Sequence, residues 1–397
     1  MAMAAVLVVL GARLYEACAV YDSSLLLPAD GDASTDAGPP APCLHVQPPG
    51  HPDGGATAGG TLQVVAAFKT IDIGLTADAS APRPSFGYDL DGVCTCPGPP
   101  SCVQVHGDGA PTTCDDDAGG NTGIDNTDID LFRALPVAAS VGTAQIDDGL
   151  QSGQYSLLLV IDGYNGMAND DKVTVSYYVS NGVNRTADGG IPTPTFTGGD
   201  LWTIDPDSLQ DKPQDPASIP SCAHNPQCGS VFSDEAAYVS NYVVVARFNQ
   251  LTVAFGDRSF LGGATMALST AVIVGQLQPV PLQQGGFGYD LVGGTIAGRW
   301  PTKALLQTLA TIPDSLDDGG FLCGHGNLYY EIIKATVCGA ADISQNQAND
   351  NTNAACDAVS VGMTFTAGPA QLGAVLAVPP APAGCADGVV PFTDNCP

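Results

Sequence analysis

From Lys172 to Val179 the chain alternates, with Val173, Val175, Tyr177 and Val179 on one side and smaller or polar residues between them. A period of two marks a strand with one face in a core. Just upstream, Tyr155 to Ile161 ("YSLLLVI") is a near-continuous β-rich run. A Gly/Asn/Asp stretch, "DGYNGMANDD", separates the two, so together they predict a hairpin with a long tip. "LQVVAAFKTIDIGL" from Leu62 reads as one strand or two, and "AYVSNYVVVARF", "LTVAFG" and "ATMALSTAVIVGQL" read as further strands. After these the period changes. "TKALLQTLATI" and "NLYYEIIKATVCGAADI" carry helical spacing, the latter with Leu328, Tyr329, Ile332, Ile333, Thr336 and Val337 on one face. The pattern predicts a mainly β chain of two β-sandwich-like domains, 61–190 and 231–375, with a few short helices in the second.

The segments between these elements are rich in chain-breakers. The 397 residues include 48 Gly and 31 Pro, and 13% are charged, which favours short strands and long loops over helical bundles. Residues 19–60 read as an extended linker that buries too little to fold. Residues 191–230 read as an interdomain segment in which Cys222 and Cys228 close a small local loop. Residues 376–397 read as a Pro-rich tail stapled to itself through Cys385 and Cys396. "FGYDL" occurs at Phe86–Leu90 and again at Phe287–Leu291, yet the flanks share nothing else, which leaves domain duplication and coincidence both open.

Thirteen cysteines, most of them in Pro/Gly/Asp-rich stretches, predict disulfide-stapled loops and an oxidising compartment. At the N-terminus, 1–18, the run "AAVLVVL" suits a signal-peptide core and is too short to span a bilayer. Cys18 follows Ala17 as the acylated cysteine of a bacterial lipoprotein would, whereas Tyr15 and Glu16 fit that signal badly. Setting Cys18 aside leaves an even number of cysteines for pairing. The two readings are a lipid anchor at Cys18 and ordinary secretion. Twelve Lys and Arg against 41 Asp and Glu give a net charge of -29, which repels nucleic acid and anionic lipid headgroups. Any membrane attachment would therefore run through the lipid.

Several blocks, "CAVYDSSLL", "GYDLDGVCTCPGPPSC", "GYNGMANDDKVTV", "GGTIAGR" and "CDAVSVGMTF", resemble those of secreted or lipoprotein-like proteins of the myxobacterial type, a group with no assigned activity. The resemblance implies extracellular or outer-membrane-surface placement in a bacterium and brings no catalytic residues with it.

Two stretches carry candidate chemistry. "CDDDAGGNTGIDNTDID" begins at Cys114 and gathers carboxylates and amides. Calcium takes six to eight oxygens on a flexible loop. An EF-hand register starting at Asp115 fails, because Asn126 stands where a bidentate Glu belongs. A different calcium loop built from Asp115, Asp117, Asn121 and Asp125 remains open, against the alternative of a solvated acidic turn. "DLDG" at Asp89–Gly92 adds ligands if disulfides between Cys94 and Cys114 bring the two acidic runs together. The second stretch is the hairpin tip, where Asp162, Asn165, Asn169, Asp170 and Asp171 surround Tyr164, an arrangement able to recognise a cell-surface or extracellular glycan by hydrogen bonds and stacking. Turn chemistry alone accounts for the same composition. "LCGHG" and "CTCPGPPSC" lack zinc spacing, and the chain has no nucleophile elbow, H-E-x-x-H, Walker loop or dinucleotide fingerprint. The expected function is a secreted or surface-anchored binding or structural protein, calcium-dependent or carbohydrate-binding. A secreted polysaccharide hydrolase is the rival, since any two of 41 acids can meet in space as a glycosidase pair.

Overall fold

Strand segments with buried apolar faces, joined by short turns in some places and by long connections in others, pair antiparallel in chain order until the last meets the first. In a computed structural model of the chain, the described residues are 43–52, 58–75, 84–96, 98–104, 113–115, 122–134, 143–255, 264–310, 322–323, 328–377, 385, 391 and 393–396. Eight strands close a barrel: β1 (Leu62–Asp72), β2 (Ser156–Tyr164), β3 (Asp170–Ser180), β5 (Phe232–Ser240), β6 (Val243–Phe255), β7 (Ala264–Pro281), β8 (Phe287–Pro301) and β9 (Ala358–Pro369). Closure is made by β9 pairing back onto β1, with Phe68 opposite Ala367. The chain is mainly β and disulfide-stapled, as the pattern predicts. The strands of 61–190 and 231–375 nevertheless join one closed sheet, whose opposite walls pack face to face as the two layers of a sandwich do.

The interior is apolar. Phe68, Leu159, Val175, Ile273 and Phe365 belong to one buried cluster that runs through the barrel, with Phe68 and Phe365 stacked at 4.2 Å between ring centroids. An apolar lumen is the reverse of a transmembrane β-barrel, where apolar residues face outward. Four short helices extend this cluster: α1 (Asp128–Ala134), α2 (Thr143–Gln151), α3 (Thr302–Leu309) and α4 (Leu328–Gly339). The sequence pattern predicts α3 and α4 and misses α1 and α2. On α4 the buried face is Tyr330, Ile333 and Val337, one step round from the predicted stripe, and Ile332 is 54% exposed.

The long side of β2 is buried on both faces. Leu157, Leu159 and Ile161 point into the barrel, whereas Leu158 and Val160 lie beneath an outer layer. That layer comes from the stretch read as an interdomain segment. Strand β4 (Leu201–Ile204) pairs in parallel with β10 (Gln371–Val375), and Trp202, Ile204, Leu209 and Ile219 are buried against β1–β3. Residues 191–230 are thus a second layer on the barrel wall, because they carry enough apolar surface to pack there.

Twelve cysteines pair as Cys43–Cys94, Cys96–Cys114, Cys102–Cys356, Cys222–Cys228, Cys323–Cys385 and Cys338–Cys396. The local loop Cys222–Cys228 is as expected, and six pairs fit an oxidising compartment. The tail is not stapled to itself: Cys385 and Cys396 reach separately to Cys323 and to α4. Part of the expected linker is ordered as well. Cys43 anchors a strap over which Val46 N donates to Thr122 O and Tyr238 Oη donates to Pro49 O. Cys18 lies outside the described residues. Among the described residues no helix is long and apolar enough to cross a membrane.

Candidate functional site

The first "FGYDL" is not a strand. It runs through a cap, outside the barrel wall, made of 84–96, 98–104, 113–115 and 122–127 and stapled by Cys43–Cys94, Cys96–Cys114 and Cys102–Cys356. Tyr88 and Leu90 pack on the outward face of the wall against the cluster of Tyr238, Val245, Val272, Val274 and Ala297. Alternation then turns Asp89 and Asp91 the other way, into the cap. Both are buried, at 3% and 7% exposure, and Asp125 is buried beside them at 2%. One carboxylate oxygen from each of the three lies within 4.8 Å of the others. Two more acids complete the group. Asp115 (6% exposed) sits across the Cys96–Cys114 disulfide, and Asp342 (8% exposed) comes from the loop before β9.

Backbone N–H groups hold these side chains in place. Gly92 N donates to Asp89 Oδ1 at 2.6 Å, Val93 N to Asp91 Oδ1 at 3.0 Å, Leu90 N to Asp125 Oδ2 at 2.7 Å and Thr95 N to Asp115 Oδ2 at 2.7 Å. Asp342 accepts from Ser360 N, Ser360 Oγ and Thr127 Oγ1. On the strap, His45 Nδ1 meets Asp89 Oδ2 at 2.6 Å. Ser101 Oγ, 1% exposed, lies beside the Asp91 carboxyl and favours its charged form, yet closes no hydrogen bond of proper geometry. Gly123 closes the cap from below. Its φ is +67°, and a Cβ there would come within 3.1 Å of Asp89 Oδ2.

Arg299, a buried cation that reaches the cap, is committed elsewhere. Arg299 Nη1 and Nη2 form a two-pronged pair with Asp350 at 2.8 and 2.6 Å, and Nη2 also holds Leu90 O. The carboxylates therefore repel one another in a place where water screens them little. Burial pushes Asp91 up to about 6, with the nearby charges of Asp89 and Asp342 adding to it. Burial likewise pushes Asp115 up to about 7, helped by Asp91 and Asp342. Asp125 is raised well above the ordinary range by burial and by Asp91, Asp115 and Asp342, and Asp342 is raised by burial.

Asp115 and Asp125 are in the cluster, and "DLDG" joins them across the disulfides. Asp117 and Asn121 lie outside the described residues. Asp342 was missed, because it stands more than 200 positions along the chain from its partners and nothing local marks it.

The hairpin tip behaves differently. Tyr164 is fully buried, its Oη donates to Met167 O, and its ring meets Tyr289 edge-on, so it presents no face to a sugar. Asp170 is fully buried too, and accepts from Gly59 N, Asn165 N and Lys172 N. Asn165 Nδ2 donates to Asn169 O, Asn241 N donates to Asn169 Oδ1, Gln63 Nε2 donates to Asp162 Oδ1, and Asp171 meets His51 at 3.2 Å. These polar groups hold the turn together, which removes Tyr164 and Asp170 as glycan contacts.

No family model, curated protein or solved structure matches the chain.

Proposed function

We propose that the protein is a secreted or surface-anchored, non-enzymatic binding or structural barrel whose cap is set by calcium. The observation that carries this reading is the meeting of Asp89, Asp91 and Asp125 with oxygens within 4.8 Å of one another. That span is about twice a calcium–oxygen bond of roughly 2.4 Å, so one ion can touch all three. Ser101 Oγ, buried and facing Asp91, supplies a neutral oxygen to the same space. Asp115 and Asp342 add charge around it. Carbonyls and water would complete a shell of six to eight, which calcium accepts and the stricter octahedron of magnesium does not. Six disulfides and an acidic chain fit an extracellular setting, where calcium is abundant. The hydrolase alternative draws less support. A glycosidase needs two carboxylates facing a cleft, whereas these acids face each other inside a closed cap, and of the two grooves described one is lined by Asp89 as its only acid and the other by none.

Calorimetry of the full chain tests the reading. An ion bound only by the folded state at 100 times its dissociation constant adds about 2.7 kcal/mol, a few degrees of melting temperature for a chain of this size. Calcium is expected to give that shift and magnesium less of it. Asp91→Asn with Asp125→Asn should abolish the calcium shift while leaving the calcium-free protein no less stable, since the change also removes repulsion. A wild-type melting temperature indifferent to calcium would defeat the proposal.

A further inference from the structure

The second "FGYDL" opens β8 at the other junction of the fold, where the barrel wall meets the outer β4–β10 layer. A groove of about 390 Å³ runs along that seam between β1, β8 and the segment 369–372. Phe287 is the most exposed large apolar residue described, at 79%, and Tyr289, two positions on, lines the same groove. Gln63, Gln284, Gln371 and His224 line the same groove. Each glutamine is oriented by its own NH2 group: Gln284 Nε2 and Gln371 Nε2 both donate to Gly198 O, at 2.7 and 2.6 Å, and Gln63 Nε2 donates to Asp162 at 2.7 Å. Their amide planes are thus fixed, with Oε1 making no hydrogen bond among the described residues. His224 is held in the left-handed region, φ +56°, by the small Cys222–Cys228 loop. In a chain of net charge -29, no Asp, Glu, Lys or Arg lines this groove.

From this geometry we infer that the groove is a binding site for a neutral saccharide, with Phe287 as the stacking platform and Gln63, Gln284 and Gln371 as acceptors for sugar hydroxyls. A lining without carboxylates or cations, and with His224 as its one imidazole, gives little hold on a metal ion or a charged ligand. An apolar peptide would bury the fixed amide oxygens without donors, at about 1–3 kcal/mol for each. A pyranose has both things the lining asks for, an apolar C–H face and a rim of hydroxyl donors. The volume lies in the range of small-ligand clefts, roughly 300–1,000 Å³, and the junction of two packed layers is where such clefts form. The site does not depend on the calcium reading, because it shares no residue with the cap.

The test is a neutral-glycan array probed with the full chain in millimolar calcium and again in chelator, followed by titration calorimetry of the best oligosaccharide. The expected result is binding under both conditions, weakened at least tenfold by Phe287→Ala and largely restored by Phe287→Tyr. Phe287 is mostly in solvent, so both variants should fold as the parent does. Gln371→Ala should weaken binding about threefold or more. An array without hits, a hit whose affinity is unchanged by Phe287→Ala, or a groove that takes an apolar dye and no sugar would each overturn the assignment. Loss of binding in chelator alone would show that the ligand sits at the cap instead.

Discussion

Arg299 is 1% exposed, and its partner Asp350 has a side chain 7% exposed. Breaking such a pair from one side leaves a buried charge alone and costs about 3–5 kcal/mol, while replacing both members with apolar residues of similar shape is close to neutral. Arg299→Met should therefore lower the urea midpoint sharply, and Arg299→Met with Asp350→Leu should recover most of the loss. Two single-site penalties that simply add would contradict this pairing. Tyr164 shows why its role was illegible in the sequence. Leu62 pairs with Tyr164 and Gln63 with Asp162, so Gly163 is the extra residue of a bulge, at φ +79°. A bulge advances the in–out alternation by one residue and turns Tyr164 into the core. Composition at the tip resembles a binding loop, and only the register reveals a turn.

At the scale of elements, β5 and β6 are joined by Asn241 and Tyr242, at φ +53° and +65°. Two positive φ values in a two-residue turn give the hairpin a twist that matches its strands, and Asn-Gly is the pair that takes it with least strain. A side chain in this region costs about 1–2 kcal/mol, so Tyr242→Gly should raise stability by about 1 kcal/mol, read as a higher denaturant midpoint. The strands were legible because two-residue alternation survives on β3, and because β2 is apolar without a break from Leu157 to Ile161, as a strand covered on both sides must be. Helix α1 is seven residues long, and α2, although nine, buries only Ile146, Gly149 and Leu150, so neither carries the leucine stripe that marks the eight residues of α3 at Leu305, Leu306 and Leu309. The cap was legible in its acids and not in its closure. Cys102–Cys356 spans 254 positions, and connectivity of this kind cannot be read from spacing. Removing that pair by double Ser substitution should cost about 2–4 kcal/mol and weaken the calcium response with it, because the disulfide ties the segment carrying Ser101 to the loop before β9.

For the molecule as a whole, the cap predicts an inverted response to pH. Asp91 and Asp115 sit near 6 and 7 in the folded state, raised by burial from about 3.8. The folded protein consequently holds more protons than the unfolded chain between about pH 4 and 7. This contribution to stability is complete below pH 4 and disappears as pH rises through 6 and 7. In chelator the melting temperature should decline from pH 5 to pH 8, and calcium at pH 8 should restore it by taking the place of the protons. A flat profile in chelator would sink the prediction. The pairing of β9 with β1 has a consequence in time. A ribosome releases the chain from its N-terminal end, so β1 appears first of the barrel strands and then waits for β9, the last of them to be made. During that interval β1 and each newest strand present unpaired backbone to whatever is nearby, including other copies. Chains cut short before residue 358 never leave that condition, and their fate is to be captured, degraded or joined to one another.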